Sequence, residues 1–113
     1  IYGDGKQVRD VLYVEDLIDA FDRFIGSDLR HAVINIGGGP RQTVSLHELL
    51  DLLAQLTGKR SSVTHADWRP SDQKVYISDI TRAEQLLHWI PRVSFRDGLG
   101  RLLEWVQAHQ DLF

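Results

Sequence analysis

The chain of 113 residues is about the size of one domain, and its 42% hydrophobic and 26% charged residues are ordinary for a globular protein. Its net charge of −3 offers no basic field for nucleic acid, and the absence of cysteine excludes disulfides, thiolate catalysis and Cys-based zinc sites. No apolar run approaches the roughly 20 residues that span a bilayer, so we expect a cytoplasmic protein without a membrane partner. The chain begins at Ile1 and contains no methionine, so we expect it to be a piece of a longer protein.

The first part of the chain predicts a strand, a helix and a second strand. Residues 8–14 are apolar and β-branched apart from an Arg-Asp pair, which is typical of a strand that begins with charged residues. Apolar residues at helical spacing follow two acidic residues, and Gly26 ends the predicted helix. Residues 32–36 predict a short buried strand that leads into the glycine turn at 37–39.

The second part predicts three more helices. Ser45 and Glu48 form a capping box before a leucine-rich helical pattern, and a short helix is expected within residues 79–87. Residues 62–65 and 74–77 look extended and flank a loop that contains proline. The last helix is expected to bury four apolar residues: Leu99, Leu102, Leu103 and Val106. The predicted fold class is therefore mixed α/β, with about four helices and a few short strands in one unit.

The loop Arg69-Pro70-Ser71-Asp72 is the most informative segment for function. It places a guanidinium and a carboxylate three residues apart, where proline prevents a helix. A planar guanidinium suits a phosphate and a carboxylate suits sugar hydroxyls, so Arg69 and Asp72 could form one end of a nucleotide-diphosphate site. The alternative is a surface loop with an internal Arg–Asp ion pair.

A second Arg-Asp pair supports the phosphate interpretation. Arg9 follows the glycine-rich loop at residues 3–5, whose bare backbone could approach a ligand while the arginine reaches a phosphate. The alternative is a tight turn before a strand, with Arg9 paired to Asp10 or Asp16. Taken together, the two arginines could hold the two phosphates of a diphosphate from separate loops.

No catalytic, cofactor or metal site is predicted in this chain. Tyr2 and Lys6 match the Tyr-x-x-x-Lys pair of short-chain dehydrogenases, but two intervening glycines make the required helix improbable. The glycines at 37–39 lack the spacing of a dinucleotide fingerprint and predict an accommodating turn. The five histidines lack the spacing of metal ligands. The three tryptophans are expected to anchor the core or pack against helix ends: Trp68, Trp89 and Trp105.

Several motifs together resemble the extended short-chain dehydrogenase/reductases that act on nucleotide sugars. Residues 3–16 resemble the family segment G-D-G-x-x-x-R-D-x-x-x-V-x-D, and residues 35–39 resemble its N-x-G-x-G strand end. Arg69-Pro70-x-Asp72 matches the R-P-x-D loop, and residues 79–91 match D-x-x-K-A-x-x-x-L-x-W-x-P. The glycine turn and the segment after Asp72 look most like CDP-paratose (CDP-tyvelose) 2-epimerases. UDP-galactose 4-epimerases and dTDP-glucose 4,6-dehydratases match those two runs less well.

In this family an N-terminal Rossmann lobe holds NAD and the catalytic Ser/Thr, Tyr and Lys, and the C-terminal lobe holds the nucleotide. The resemblance implies that residues 1–113 are the C-terminal, nucleotide-sugar-binding lobe, with no NAD bound to this part. It also implies that Arg9 and Arg69 contact the diphosphate and that Asp72 contacts the ribose hydroxyls. Ser71 departs from the pattern, because many relatives have glycine there.

The favoured hypothesis is therefore the substrate-binding lobe of an NAD-dependent nucleotide-sugar epimerase, inactive alone. A 4,6-dehydratase or 4-epimerase lobe is the alternative within the family. Outside it, the alternatives are a stand-alone nucleotide-sugar-binding module and an α/β interaction domain without a small ligand. The partners expected are a nucleotide-diphosphate sugar and the absent Rossmann lobe. Because separation would expose the surface that faced that lobe, we also expect self-association.

Overall fold

The computed structural model describes residues 1–112, which fold into four helices and one three-stranded sheet. The strands are β1 (Val8–Asp10), β2 (Thr43–Ser45) and β3 (Val75–Tyr76). The helices are α1 (Val14–Ile25), α2 (Leu46–Thr57), α3 (Thr81–Leu87) and α4 (Phe95–Ala108). Single 3-10 turns lie at Pro40–Gln42 and Gln110–Leu112. The mixed α/β class is confirmed. Within the described residues, no helix combines the length and the apolar composition needed to cross a membrane.

The sheet brings distant parts of the chain next to β1, its central strand. β1 runs antiparallel to β2 and parallel to β3, with Arg9 opposite Val44 on one side and Tyr76 on the other. The amide of Val8 also donates to the carbonyl of Lys74 over 2.9 Å. The loop that precedes β3 is therefore held beside the start of β1, although more than 60 residues separate them in sequence.

Local sequence signals set the ends of the helices. In α2 the amide of Glu48 donates to the Ser45 hydroxyl over 3.2 Å, and the Glu48 carboxylate accepts from the Ser45 amide over 2.8 Å, which confirms the capping box. Hydrogen bonds from the Ser45 side chain and backbone lower the pKa of Glu48 below its ordinary value. α2 ends at Gly58 in the left-handed conformation, and α1 ends at Gly26, both as predicted.

The core lies where α1 meets α3 and the loop that follows α3. Trp89 is fully buried there among small and aliphatic side chains of both helices. Its indole Nε1 donates to the backbone carbonyl of Asp16 over 2.9 Å. The buried Asp16 carboxylate accepts from the amides of Arg92 and Val93 over 3.1 and 3.0 Å. One acidic residue of α1 thus holds the chain that leads from α3 to α4. Trp89 is the core anchor expected of it, whereas Trp105 is 47% exposed.

Three sequence predictions differ from the structure. The first strand ends at Asp10 because the chain turns into α1 by Val14. Residues 32–36 are not a strand, since no backbone hydrogen bond joins them to another segment of residues 1–112. Their burial alternates along the chain as in a strand, and Val33 is 72% exposed, so the conformational preference is present without a partner. The predicted burial of Leu102 is also wrong, because that side chain is 51% exposed.

Candidate functional site

The loop at residues 69–72 forms a tight turn at the surface. The amide of Asp72 donates to the carbonyl of Arg69 over 3.1 Å, with Pro70 at the second position of the turn. Ser71 occupies the third position with φ of +65°. A type II turn has proline second and requires a positive φ third, where glycine is favoured. This geometry explains in physical terms why glycine would suit position 71, where this chain has serine.

Arg9 reaches this turn from β1. Its guanidinium Nη2 lies 3.4 Å from Oδ1 of Asp72, while Nη1 donates to the carbonyl of Val8 over 2.9 Å. Both side chains of the pair are about one third exposed, so the ion pair is open to solvent. The alternative pairings of Arg9 are wrong, because Asp10 accepts from the glycine turn and Asp16 accepts from the loop after α3.

Arg69 lies against an aromatic ring. Its guanidinium carbon is 3.7 Å from the ring centroid of Tyr2, a stacked cation–π contact. Tyr2 is 44% exposed and pairs with Ala66 in an isolated bridge, which brings the start of the chain alongside the segment that leads to Arg69. Sequence reasoning considered Tyr2 only as half of a rejected catalytic pair. The sequence feature that could have pointed to Tyr2 is its position as an aromatic residue directly before a glycine-rich loop.

Ring side chains hold the glycine loop at residues 3–5 in place. Gly3 and Gly5 have positive φ, and a Cβ at either position would overlap the ring of Trp68 or of His47. A His47 nitrogen lies 2.6 Å from the carbonyl of Asp4, so that nitrogen must carry the proton. The glycines therefore allow the loop to pack closely against both rings. One of these rings belongs to Trp68, the residue directly before Arg69.

The glycine turn at residues 37–39 does not fit a dinucleotide. A Cβ at Gly38 would overlap the backbone carbonyl of Val11, and the Gly39 amide already donates to the Asp10 carboxylate over 2.9 Å. A pyrophosphate needs free amides and open space at such a turn. The turn packs against its own chain instead, which agrees with the prediction that these glycines form a turn rather than a dinucleotide site. Among the described residues, no group of three or more acidic or histidine side chains is arranged to hold a metal ion.

The predicted site residues therefore share one region of the surface. Arg9 contacts Asp72, the residue that closes the turn begun by Arg69. Lys74, two residues further along, has its ammonium 5.4 Å from the centre of the Trp68 ring. Asp72 pairs with Arg9, and two further cations, Arg69 and Lys74, lie within three residues of Asp72 along the chain, in a protein whose net charge is −3. Such a cluster can attract an anion that carries two or more charges.

Comparisons with known proteins place the chain in a family. The family model described as GDP-mannose 4,6 dehydratase matches residues 1–102. UDP-glucuronate 4-epimerase from Thermodesulfobacterium geofontis (strain OPF15) is 32% identical over 112 residues, which are 99% of this chain and 34% of that protein. CDP-paratose 2-epimerase from Salmonella typhi is 36% identical over 110 residues, which are 96% of this chain and 32% of that protein.

A solved structure agrees with these relatives. MoeE5, determined in complex with UDP-glucuronic acid and NAD, superimposes with a TM-score of 0.88 at 34% identity, over 96% of this chain and 36% of that one. The chain therefore spans about a third of the length of the proteins that it matches. The resemblance to the extended short-chain dehydrogenase/reductases is confirmed. The chain belongs to the GDP-mannose 4,6 dehydratase family within that group.

Proposed function

We propose that this chain is the substrate-binding lobe of an NAD-dependent nucleotide-sugar epimerase and that it grips the nucleotide diphosphate. The observation that carries the proposal is the contact of Arg9 with Asp72 at the turn begun by Arg69. The two guanidiniums supply donors from separate elements, which suits the two phosphates of a diphosphate. Asp72 is an acceptor beside them and suits the ribose hydroxyls. Phosphate would compete with Asp72 for Arg9, and the long, solvent-open ion pair offers little resistance to that exchange.

Within this role, the chain supplies binding energy far from the reacting carbon. Interactions with the remote diphosphate can orient the sugar for groups that this chain does not contain. NAD and the catalytic residues would belong to the Rossmann lobe of the complete enzyme, which we propose to be absent from residues 1–113. That the relatives named above are about three times as long supports this division of labour. We therefore expect no turnover of nucleotide sugars by this chain with added NAD, and turnover would contradict the proposal.

The exposed face of α1 supports the idea of an absent lobe. This face is defined by four apolar residues that recur with helical spacing and are each more than half exposed: Val14, Ile18, Phe21 and Ile25. The opposite side of α1 packs on the core, so the helix is apolar on two sides, as is typical of a helix buried in a larger protein. Beside it, residues 32–36 offer strand-like backbone without a neighbouring strand. We propose that the Rossmann lobe covers this surface.

The exposed face of α1 should also make this chain self-associate when the lobe is absent. We expect sedimentation velocity to show concentration-dependent association of the wild-type chain, and we expect Phe21→Lys to remain monomeric at the same concentrations. Because Phe21 is 55% exposed, the substitution should change the free energy of unfolding by less than about 1 kcal/mol. Leu56→Lys, on an exposed part of α2, is the control and should associate like the wild type. A wild-type chain that stays monomeric throughout would contradict the proposed surface.

The diphosphate grip can be tested by calorimetric titration with CDP- and UDP-sugars. Arg69→Ala should weaken binding roughly 10- to 100-fold, because a hydrogen bond to a charged group contributes about 1.5–3 kcal/mol. Arg60→Ala is the control, since Arg60 is an exposed arginine paired with Asp51, and neither residue belongs to the proposed site. It should bind like the wild type. Equal affinity of the Arg69 variant and the wild type would count against the grip.

The reaction of the complete protein is proposed only from the sequence identity to individual relatives. A 2-epimerase of the CDP-paratose type is favoured because that relative is 36% identical, against 32% for the UDP-glucuronate 4-epimerase. A 4-epimerase or a 4,6-dehydratase lobe is the second candidate, supported by a dTDP-glucose 4,6-dehydratase from Streptomyces griseus that is 33% identical. The titration with CDP- and UDP-sugars separates the bases, since tighter binding of CDP-sugars would favour the 2-epimerase.

A further inference from the structure

Arg69 is the arginine of the proposed grip whose donors are not used by its own chain. Its guanidinium carbon lies 3.7 Å from the ring centroid of Tyr2, and within residues 1–112 its side chain makes no hydrogen bond and no ion pair. Arg9 differs, since its guanidinium donates to the carbonyl of Val8 and to the carboxylate of Asp72. An aromatic ring, rather than an acceptor atom, therefore holds Arg69 in place.

The short distance determines how the guanidinium meets the ring. An end-on guanidinium at 3.7 Å would force one of its nitrogens into the ring of Tyr2, so the planar group must lie flat over it. The N–H donors of Arg69 then point outward in the plane of the guanidinium, away from the ring. Stacking thus holds the charge without occupying those donors, whereas a bidentate ion pair with a carboxylate would occupy two of them.

The backbone of Tyr2 is fixed by the hydrogen bonds around it. The amide of Gly3 donates to the carbonyl of Ala66, and the amide of Ala66 donates to the carbonyl of Ile1, each over 2.8 Å. The Gln7 side chain also donates from Nε2 to the carbonyl of Tyr2 over 3.0 Å. The Tyr2 residue is 44% exposed, so its ring stands at the surface on a backbone that is held in place.

The stacking also keeps Arg69 apart from the carboxylate that is nearest in sequence. Asp72 is three residues away, and the sequence left an internal ion pair of Arg69 with Asp72 open. In the structure Asp72 pairs with Arg9 instead, over 3.4 Å. An Arg69 side chain released from the ring could turn toward Asp72, and its donors would then be lost to the ligand. The ring of Tyr2 therefore keeps those donors available for a phosphate.

We propose that Tyr2 is a positioning residue for substrate binding, whose ring orients Arg69 toward the diphosphate. This inference rests on the proposed function of the site. The role requires the aromatic face of Tyr2 and not its hydroxyl, because the face of the ring attracts the cation. Orienting the guanidinium before the ligand arrives removes part of the entropy cost of ordering a long side chain on binding.

Proton chemical shifts test the stacking without any ligand. Protons above the face of an aromatic ring are shifted upfield, so the side-chain protons of Arg69 should lie upfield of those of Arg60, which pairs with the carboxylate of Asp51. The shift should persist in Tyr2→Phe and disappear in Tyr2→Leu. The first comparison needs only the wild type, so it holds even where a variant does not fold. Arg69 protons without an upfield shift in the wild type would overturn the inference.

Calorimetry with UDP and with inorganic pyrophosphate tests the effect on binding. Tyr2→Leu should weaken the binding of both ligands roughly 3- to 10-fold, because the guanidinium loses its support, and Tyr2→Phe should stay within about twofold of the wild type. Trp105→Leu replaces an aromatic residue of similar exposure on α4 and should bind like the wild type. Unchanged binding of UDP by a folded Tyr2→Leu would contradict the role of Tyr2. A loss with UDP alone would also contradict it, since Tyr2 would then contact the nucleoside.

The double variant Tyr2→Leu with Arg69→Ala shows whether Tyr2 acts through Arg69. If it does, Tyr2→Leu should add less than about twofold to the loss that Arg69→Ala causes. An undiminished further loss would mean that Tyr2 contacts the ligand itself, which would overturn the inference. The two proposals fail separately: weakening by Arg69→Ala without weakening by Tyr2→Leu removes only the role of Tyr2. Binding of UDP that Arg69→Ala leaves unchanged removes the grip, and the role of Tyr2 with it.

Discussion

Replacing Asp16 by alanine is expected to lower the free energy of unfolding by about 3 kcal/mol, because two backbone amides would lose their acceptor in a largely buried place. Asp16 is 4% exposed, and its carboxylate oxygens accept from Arg92 and Val93 over 3.1 and 3.0 Å. An unsatisfied buried donor costs about 1–3 kcal/mol, so two such donors are a large fraction of the stability of a small domain. Denaturant unfolding followed by tryptophan fluorescence measures the effect, since Trp89 lies beside this contact.

Two matched variants separate the role of Asp16 from a general effect of removing charge. Asp19→Ala removes a carboxylate from the same helix, where Asp19 forms a partly exposed i,i+4 ion pair with Arg23, and it should cost less than about 1 kcal/mol. Asp16→Asn keeps one acceptor oxygen and should lie between Asp16→Ala and the wild type. A loss below about 1 kcal/mol for Asp16→Ala would show that Asp16 does not hold the connection between α3 and α4.

The double replacement Arg9→Ala with Arg69→Ala should weaken the binding of a nucleotide-diphosphate sugar about 100-fold or more. Each guanidinium supplies charge-assisted donors worth about 1.5–3 kcal/mol, and together they face the whole charge of the diphosphate. The single variants should show smaller losses whose sum differs from that of the double variant, because neighbouring groups on one ligand are coupled. Binding by the wild type should also fall as salt is raised.

The control for the double variant removes the same charge elsewhere. Arg60 and Arg101 are exposed arginines that pair with Asp51 and Glu15. Alanine at both should leave the affinity within about threefold of the wild type, since exposed pairs contribute little and lie outside the site. A loss as large as that of the site variant would mean that the net charge of the chain, rather than the grip, controls binding.

The parts of the fold that the sequence predicted well depend on neighbours in sequence. The capping box of Ser45 and Glu48 and the end of α1 at Gly26 are formed within a single helix, so the motif contains all of their atoms. The prediction of a strand at residues 32–36 was wrong, because a strand depends on a partner that can lie far away in sequence. Its apolar, β-branched residues express a preference, but a strand exists only when another strand pairs with it, and residues 1–112 provide none.

The residues of the candidate site were proposed from the sequence, whereas their contacts could not be predicted from it. The residue types of Arg9, Arg69 and Asp72 suggested phosphate and hydroxyl recognition, and the parallel pairing of β1 with β3 is what brings Arg9 to Asp72. That pairing joins residues far apart in sequence, so alternatives such as Asp10 remained open.

The central claim, that this lobe grips a diphosphate through two arginines, is tested most directly by comparing UDP with uridine in the wild type and in the double arginine variant. Calorimetric titration gives the four affinities under one set of salt conditions. We predict that the wild type binds UDP at least 100-fold more tightly than uridine and that this preference largely disappears in the variant. A wild type that binds both ligands equally, or a variant that keeps the full preference for UDP, would contradict the claim.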